Sequence, residues 1–196
     1  MPRHSFYHRN ARVEGTLTLK NPPLTEAGVG AKAGTGVSVV EQGDGLLHKT
    51  IFTLVNVVVA MVDATTNGSQ GSQKIYDFPE GLINILGASM SLSIARVGTN
   101  LAAGAAIVAA IGTVAPAADA TLTSTEANII PSTAATLTAG AGAPKGKSTA
   151  GSTLDGTTTA IDALLNFAVP DADSAGNDSL VVNGTITIVW AQLGDV

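Results

Sequence analysis

Apolar and polar residues alternate with a period of two over most of the readable chain. This is the spacing of a strand with one face on a core and one in water. Val13, Leu17 and Leu19 alternate with Glu14, Thr16 and Thr18. From Leu82 to Ile94 the even positions Leu82, Leu86, Ala88, Met90, Leu92 and Ile94 are apolar, with Gly87, Ser89, Ser91 and Ser93 between them. Ile161, Ala163, Leu165, Phe167 and Val169 repeat the pattern. Near the C-terminus Leu180, Val182, Ile186, Ile188 and Trp190 share one face, and Asn183, Thr185 and Thr187 take the other. Thr50–Val62 departs from it: Ile51, Phe52, Leu54, Val55, Val57, Val58, Val59, Met61 and Val62 are nearly continuous. Its β-branched content predicts a strand rather than a helix. A strand apolar on both sides is expected to be covered on both, as a central core strand or with a second subunit on its outer face.

Between these runs stand turn signals. Gly43-Asp44-Gly45, Thr66-Asn67-Gly68, Asp155-Gly156 and Asn183-Gly184 contain pairs that accept positive φ. Asn183-Gly184 fits either a turn or a bulge inside one long strand. Residues 64–73 and 140–153 read as polar, flexible loops. Thr123-Ser124-Thr125-Glu126 fits a capping box, and Pro131 confines the helix it starts to a short connector. Eight or nine short strands with Gly-rich turns and one short helix predict an all-β chain, a jelly-roll-like β-sandwich. The expected division is an N-terminal arm over 1–45 with one or two short strands, and a sandwich domain over 46–196.

Composition narrows the chemistry. The chain has 196 residues, 13% charged, against roughly 25% in an average soluble protein. It has no cysteine, which removes disulfides, thiolate metal sites and thiol nucleophiles. The net charge of −5 is unevenly placed: residues 1–20 are locally +3 and residues 148–196 are locally −6. A basic arm on an acidic body is a layout for contact with an acidic partner. Arg3, Phe6, Tyr7, Arg9 and Arg12 are therefore the candidate partner-contact residues. Three arginines without interleaved stacking aromatics give no nucleic-acid readout, so no nucleic acid is expected. Residues 1–20 lack the apolar stretch of a secretory signal. Val97–Ala118 is uncharged but dominated by Ala, Gly and Thr; a buried strand or turn-rich segment is expected there, not a membrane span.

The chemical motifs are incomplete. Ala141-Gly142-Ala143-Pro144-Lys145-Gly146-Lys147-Ser148 has the spacing of a phosphate loop, but Ala141 replaces the first Gly and no helix start follows. Asp171-Ala172-Asp173-Ser174-Ala175-Gly176-Asn177-Asp178 resembles the start of a calcium loop, yet Ala175 stands at a ligand position and no Glu closes it. His4 and His8 lack a carboxylate partner nearby, and His48 at a strand start lacks a visible nucleophile. The expectation is no enzyme, no cofactor and no metal.

Three stretches, taken in order, carry a resemblance. They are Lys74-Ile75-Tyr76-Asp77-Phe78-Pro79-Glu80-Gly81 running into Leu82–Ile94; Ile111-Gly112-Thr113-Val114 with the segment from Ala118 to Thr133; and Leu165–Val169 with Val182–Trp190 and Leu193-Gly194-Asp195. Over about residues 70–196 the chain resembles the head decoration, or cement, proteins of tailed bacteriophages. That resemblance implies a jelly-roll subunit on the outer surface of the capsid, often a homotrimer, bridging copies of the major capsid protein, with no membrane involved. The rival expectation is a receptor- or carbohydrate-binding β-sandwich of a phage tail or fibre.

Overall fold

The computed structural model describes residues 31–32, 34–44, 46–117, 121–148 and 152–193. These form an all-β, jelly-roll-like sandwich. Its strands, in chain order, are β1 (Ala31–Lys32), β2 (Val37–Asp44), β3 (Leu47–Asp63), β4 (Ser69–Asp77), β5 (Gly81–Arg96) and β6 (Ala106–Gly112). Then follow β7 (Ile130–Thr136), β8 (Ala141–Gly142), β9 (Lys145–Lys147), β10 (Ser152–Gly156), β11 (Asp162–Val169) and β12 (Asp178–Gln192). One sheet, the long one, runs β2-β3-β12-β5, with β8, β9 and β10 laid end to end along the far edge of β5. The short sheet runs β1-β4-β11-β6-β7. The chain passes from one to the other where the end of β3 pairs with the start of β4, Val62 opposite Gln70 and Asp63 opposite Ser69.

The core lies between the two sheets. Phe52, Leu54, Val57, Val59 and Met61 of β3 and Leu180, Val182, Ile186, Ile188 and Trp190 of β12 face inward from the long sheet, all buried. Ala163, Leu165, Phe167 and Val169 of β11 meet them from the short sheet, as their alternation requires.

A phase change explains how β3 keeps one face inside over 17 residues. Its buried positions are even up to Leu54 and odd from Val57 onward. Opposite, Val182 faces Val57 and Gly184 faces Leu54, so β3 carries one residue more than β12 across that interval. This is a β-bulge at Asn56, which adopts φ 51°. The Asn56 N–H donates to the Asn183 side-chain oxygen at 2.8 Å. Asn183-Gly184 therefore lies inside one long strand, and the bulged strand is its neighbour. A second bulge falls on β5, between the partners of Val189 and Trp190. It moves the buried set from Ile83 and Ile85 to Met90, Leu92 and Ile94, and leaves Leu86 half exposed. The single even-numbered face read over Leu82–Ile94 is thus correct only beyond this bulge.

Other expectations change for related reasons. Residues 69–73 of the first expected loop are the polar first half of β4, and residues 141–142, 145–147 and 152–153 of the second pair with β5. Backbone pairing to an existing strand fixed these segments without help from an apolar pattern. The strand count is correspondingly higher than eight or nine: twelve among the described residues. The short connector is one 3₁₀ turn, Ser124–Glu126, with the Glu126 carboxylate accepting the Thr123 N–H at 3.0 Å. Val97–Ala118 contains the buried strand β6, and no helix among the described residues is long and apolar enough to cross a membrane. Residues 1–30 of the expected arm lie outside the described residues, Val13–Leu19 among them; the rest of it supplies β1 and β2.

Gly184 has φ 138°, and a Cβ there would collide with the Ser91 carbonyl oxygen of β5. Gly184→Ala is expected to cost about 2–3 kcal/mol. Asn183→Ala, which removes only the clasp on Asn56, is expected to cost about 1 kcal/mol. Urea denaturation with an unchanged m-value checks both.

Candidate functional site

Three polar clusters and one broad surface are candidates for function. The first cluster is inside the core, where β2, β3, β4 and β12 meet. Inward alternation places Glu41, His48, Tyr76 and Trp190 together, each less than a tenth exposed. His48 Nδ1 lies 2.8 Å from one Glu41 carboxylate oxygen, and the Tyr76 hydroxyl donates to the other at 2.5 Å. The His48 ring stacks on Trp190 with centroids 4.0 Å apart, and the Trp190 N–H donates to the Thr50 hydroxyl at 2.8 Å. Phe52 and Phe78 meet Tyr76 edge to face, and Phe78 meets Trp190 likewise. His48 Nε2 is buried without a partner. The carboxylate and imidazole are in hydrogen-bond reach, as a general base and its orienting group would be. Both are walled off by rings, however, and no nucleophile stands at Nε2. The arrangement is a polar clasp that fixes β2 and β4 on the long sheet.

The second cluster holds the start of β12. Asp178 accepts the N–H groups of Gly98 and Leu101 at 2.7 and 3.0 Å. Burial opposes ionisation of Asp178. The N–H groups of Leu101, Ser179, Gly98 and Asn100 outweigh it and hold the carboxyl below its ordinary range. Asp173 accepts the Ala106 N–H at 2.9 Å. Two of the three carboxylates of the calcium-like segment are thus spent on backbone donors, closing the 97–106 loop. No group of three or more His, Asp or Glu side chains among the described residues is arranged to hold a metal.

The third cluster lies on the short sheet, where Lys74 Nζ reaches Asp77 at 2.9 Å and Asp162 at 2.8 Å. Burial, followed by the hydrogen bond to Asp77, raises the Asp162 carboxyl; that same bond lowers Asp77. The hydrogen bond to Asp162, then that to Asp77, raises Lys74. A 320 Å³ depression beside Asp162 is lined by Thr113 and residues 159–162 and is open to solvent. The phosphate-loop spacing at 141–148 is occupied otherwise: Ala141–Gly142 and Lys145–Lys147 are edge strands on β5.

The surface is the outer face of the long sheet. Thr50–Val62 is not covered on both sides within one chain. Val55 is outward by alternation and the bulge at Asn56 turns Val58 and Val62 outward as well; the three are 57%, 58% and 53% exposed. Val58 stands beside Val181, and Val181 beside Ala95. Further along, Thr53, Thr185 and Ser91 form one cross-strand row, and Ile51, Thr187 and Ser89 the next. Lys49 is the one charged residue among the outward positions of β3, β12 and β5. The short sheet differs, since its outer face is roofed by residues 113–117 and 121–129. Leu122 and Ala127 pack there on Ala110 and Ala168. The Asn166 amide donates to the Val114 and Glu126 carbonyls, each at 2.8 Å.

Of the residues singled out from sequence, Arg3, Phe6, Tyr7, Arg9, Arg12, His4 and His8 lie outside the described residues. Phe52, Tyr76, Phe78, Phe167 and Trp190, the aromatic residues within them, are all buried. Sequence reading missed the grouping of Glu41, His48 and Tyr76. The available signal was the inward phase that His48 and Thr50 share with Phe52.

No family model matches the chain, and no curated protein sequence matches it. Among solved structures, similarity is found to the CBM22-1–GH10 modules of a Clostridium thermocellum endo-1,4-β-D-xylanase complexed with xylohexaose. There the TM-score is 0.29 at 10% identity, over 81% of this chain and 25% of that one. The chain thus spans a quarter of the xylanase chain. Similarity is also found to a carbohydrate-binding module studied for specific mannan recognition, with TM-score 0.29 at 7% identity over 83% of this chain and 88% of that one.

Glu41→Ala removes the carboxylate that buried His48 and Tyr76 share and is expected to cost about 3 kcal/mol or more. Tyr76→Phe is expected to cost about 1–2 kcal/mol, both read by urea denaturation. Asp178 ionises more readily folded than unfolded. Its stabilisation is therefore complete above the ordinary carboxylate range, near about pH 4, and is lost as pH falls through the lower folded value. Melting curves taken between about pH 6 and about pH 2 should fall less steeply for Asp178→Asn than for the unaltered chain.

Proposed function

We propose that this chain is a structural protein of a tailed-phage particle, decorating the outside of the capsid and bridging its major subunits. One observation carries the reading: the wide outer face of the long sheet combines exposed valines and rows of hydroxyls with few charges, Lys49 on β3 and Lys145 and Lys147 at the β9 edge. Such a face binds by area and by repetition over a lattice, not by enclosing a small molecule. The sequence resemblance over 70–196 points the same way. A carbohydrate platform normally uses exposed rings, and every aromatic residue within the described part is buried. The basic segment 1–20 gives such a protein a second contact, a cationic one for an acidic neighbour.

Quantitative mass spectrometry of purified virions checks the proposal. The expected result is a copy number on the scale of the major capsid protein. A few copies per particle would place the chain in a tail or fibre, and absence from the particle would end the reading. Heads lacking the protein should take it up when mixed with it. Deletion of residues 1–12 should weaken that uptake and flatten its dependence on salt, since exposed charge pairs are screened beyond about 8 Å at physiological ionic strength.

A further inference from the structure

The sequence holds two Asn-Gly pairs, and the fold puts them in opposite surroundings. In such a pair the glycine nitrogen is within reach of the asparagine carboxamide carbon, and no Cβ shields it. Asn67-Gly68 stands at the corner where the chain passes from the long sheet to the short one. Asn67 is exposed. Among the described residues, neither its carboxamide nor the Gly68 N–H makes a hydrogen bond. Asn183-Gly184 lies inside β12, with Gly184 in register with Leu54 on one side and Leu92 on the other. There the carboxamide oxygen already accepts the Asn56 N–H at 2.8 Å.

We propose that Asn67 is a site of spontaneous deamidation in the folded protein, and that Asn183 is not. The Gly68 nitrogen forms a bond to Asn67 Cγ and gives up its proton, and the side-chain nitrogen leaves as ammonia. The succinimide ring so formed takes up water at either carbonyl and opens to aspartate or to isoaspartate. Ammonia is lost and water is gained, with no oxidant or reductant. The fold itself keeps the reactive pair in place. Gly68 has φ 77°, and a Cβ there would collide with the Val169 carbonyl oxygen. Position 68 therefore requires the one residue that leaves its nitrogen open to attack. Either product adds a carboxylate to a corner whose neighbours already include Asp63 and Asp171. At Asn183 the same reaction first requires the ladder on both sides of β12 to open and the bond to Asn56 to break.

The test incubates the full chain at mildly alkaline pH, folded and in guanidinium chloride, until both pairs have reacted in the denaturant. Peptide mapping by mass spectrometry follows each site, with electron-transfer fragmentation to separate aspartate from isoaspartate. In the folded chain Asn67 should convert while Asn183 reacts slower by roughly a hundredfold or more, because it waits on opening of the ladder. In the denaturant the two should convert at similar rates, since the fold no longer separates them. Ion exchange of the folded chain should resolve a growing acidic form, and Asn67→Gln should abolish it. The Asn67 side chain is exposed and unbonded, so that variant should melt as the unaltered chain does. An Asn67 that stays intact in the folded chain while both sites react in denaturant overturns the proposal. Equal conversion of Asn67 and Asn183 in the folded chain overturns it as well, and so does an acidic form that persists in Asn67→Gln at the same rate.

Discussion

A strand that must keep one face in a core for fifteen or more residues conflicts with its own twist, and the structure depends on how that conflict is relieved. β3, β5 and β12 are each of this length. Continuous right-handed twist would carry the inward row of such strands out of the sandwich. Bulges at Asn56 and near Leu86 restart the phase, so Phe52 and Leu54 share a core with Val57 and Val59, and Ile83 and Ile85 with Met90 and Leu92. β12 carries no phase change and serves as the straight edge against which both neighbours are adjusted. The Asn183 side chain and the bare Gly184 backbone are the chemistry that lets β12 lie beside a bulge.

The same adjustment creates the outer surface. Without the bulge the even-numbered residues beyond Leu54 would stay inward. With it, Val58 and Val62 turn to solvent while Val57, Val59 and Met61 fill the core. The apolar outer patch is thus a consequence of core registration, and the chain covers no comparable patch on the short sheet with solvent. There Glu126 and Asn166 hold a roof in place through hydrogen bonds to backbone. Buried polar groups secure the remaining joints: Glu41 ties β2 to β3 and β4, and Asp178 ties β12 to the 97–101 loop.

Much of this architecture was legible in the sequence, because period-two alternation is set by side-chain burial alone. β11 and β12 follow their alternation residue for residue. The phase of β3 was hidden because valine occupies both faces around Asn56, so the pattern gave no sign of where the register moved. β8, β9 and the first half of β4 were hidden because backbone pairing, which any sequence without proline can supply, holds them. The Glu41–His48–Tyr76 clasp joins residues from three strands, and no local spacing encodes that meeting. The outer face was half legible: the surplus of valine was plain, but only the folded register separates the valines that fill the core from those that meet solvent.

The order of strands in the long sheet also governs how the chain can be made. β12 lies between β3 and β5, yet it begins at Asp178, after every other described strand. Until it arrives, β3 and β5 have no partner between them, and each presents an unpaired edge rich in valine, leucine or isoleucine. Completion of the sheet is therefore a single late insertion, made across long sequence separations, which slows folding. During that interval the nascent chain is open to strand exchange with its neighbours, the hazard inherent in closing a sheet from its centre.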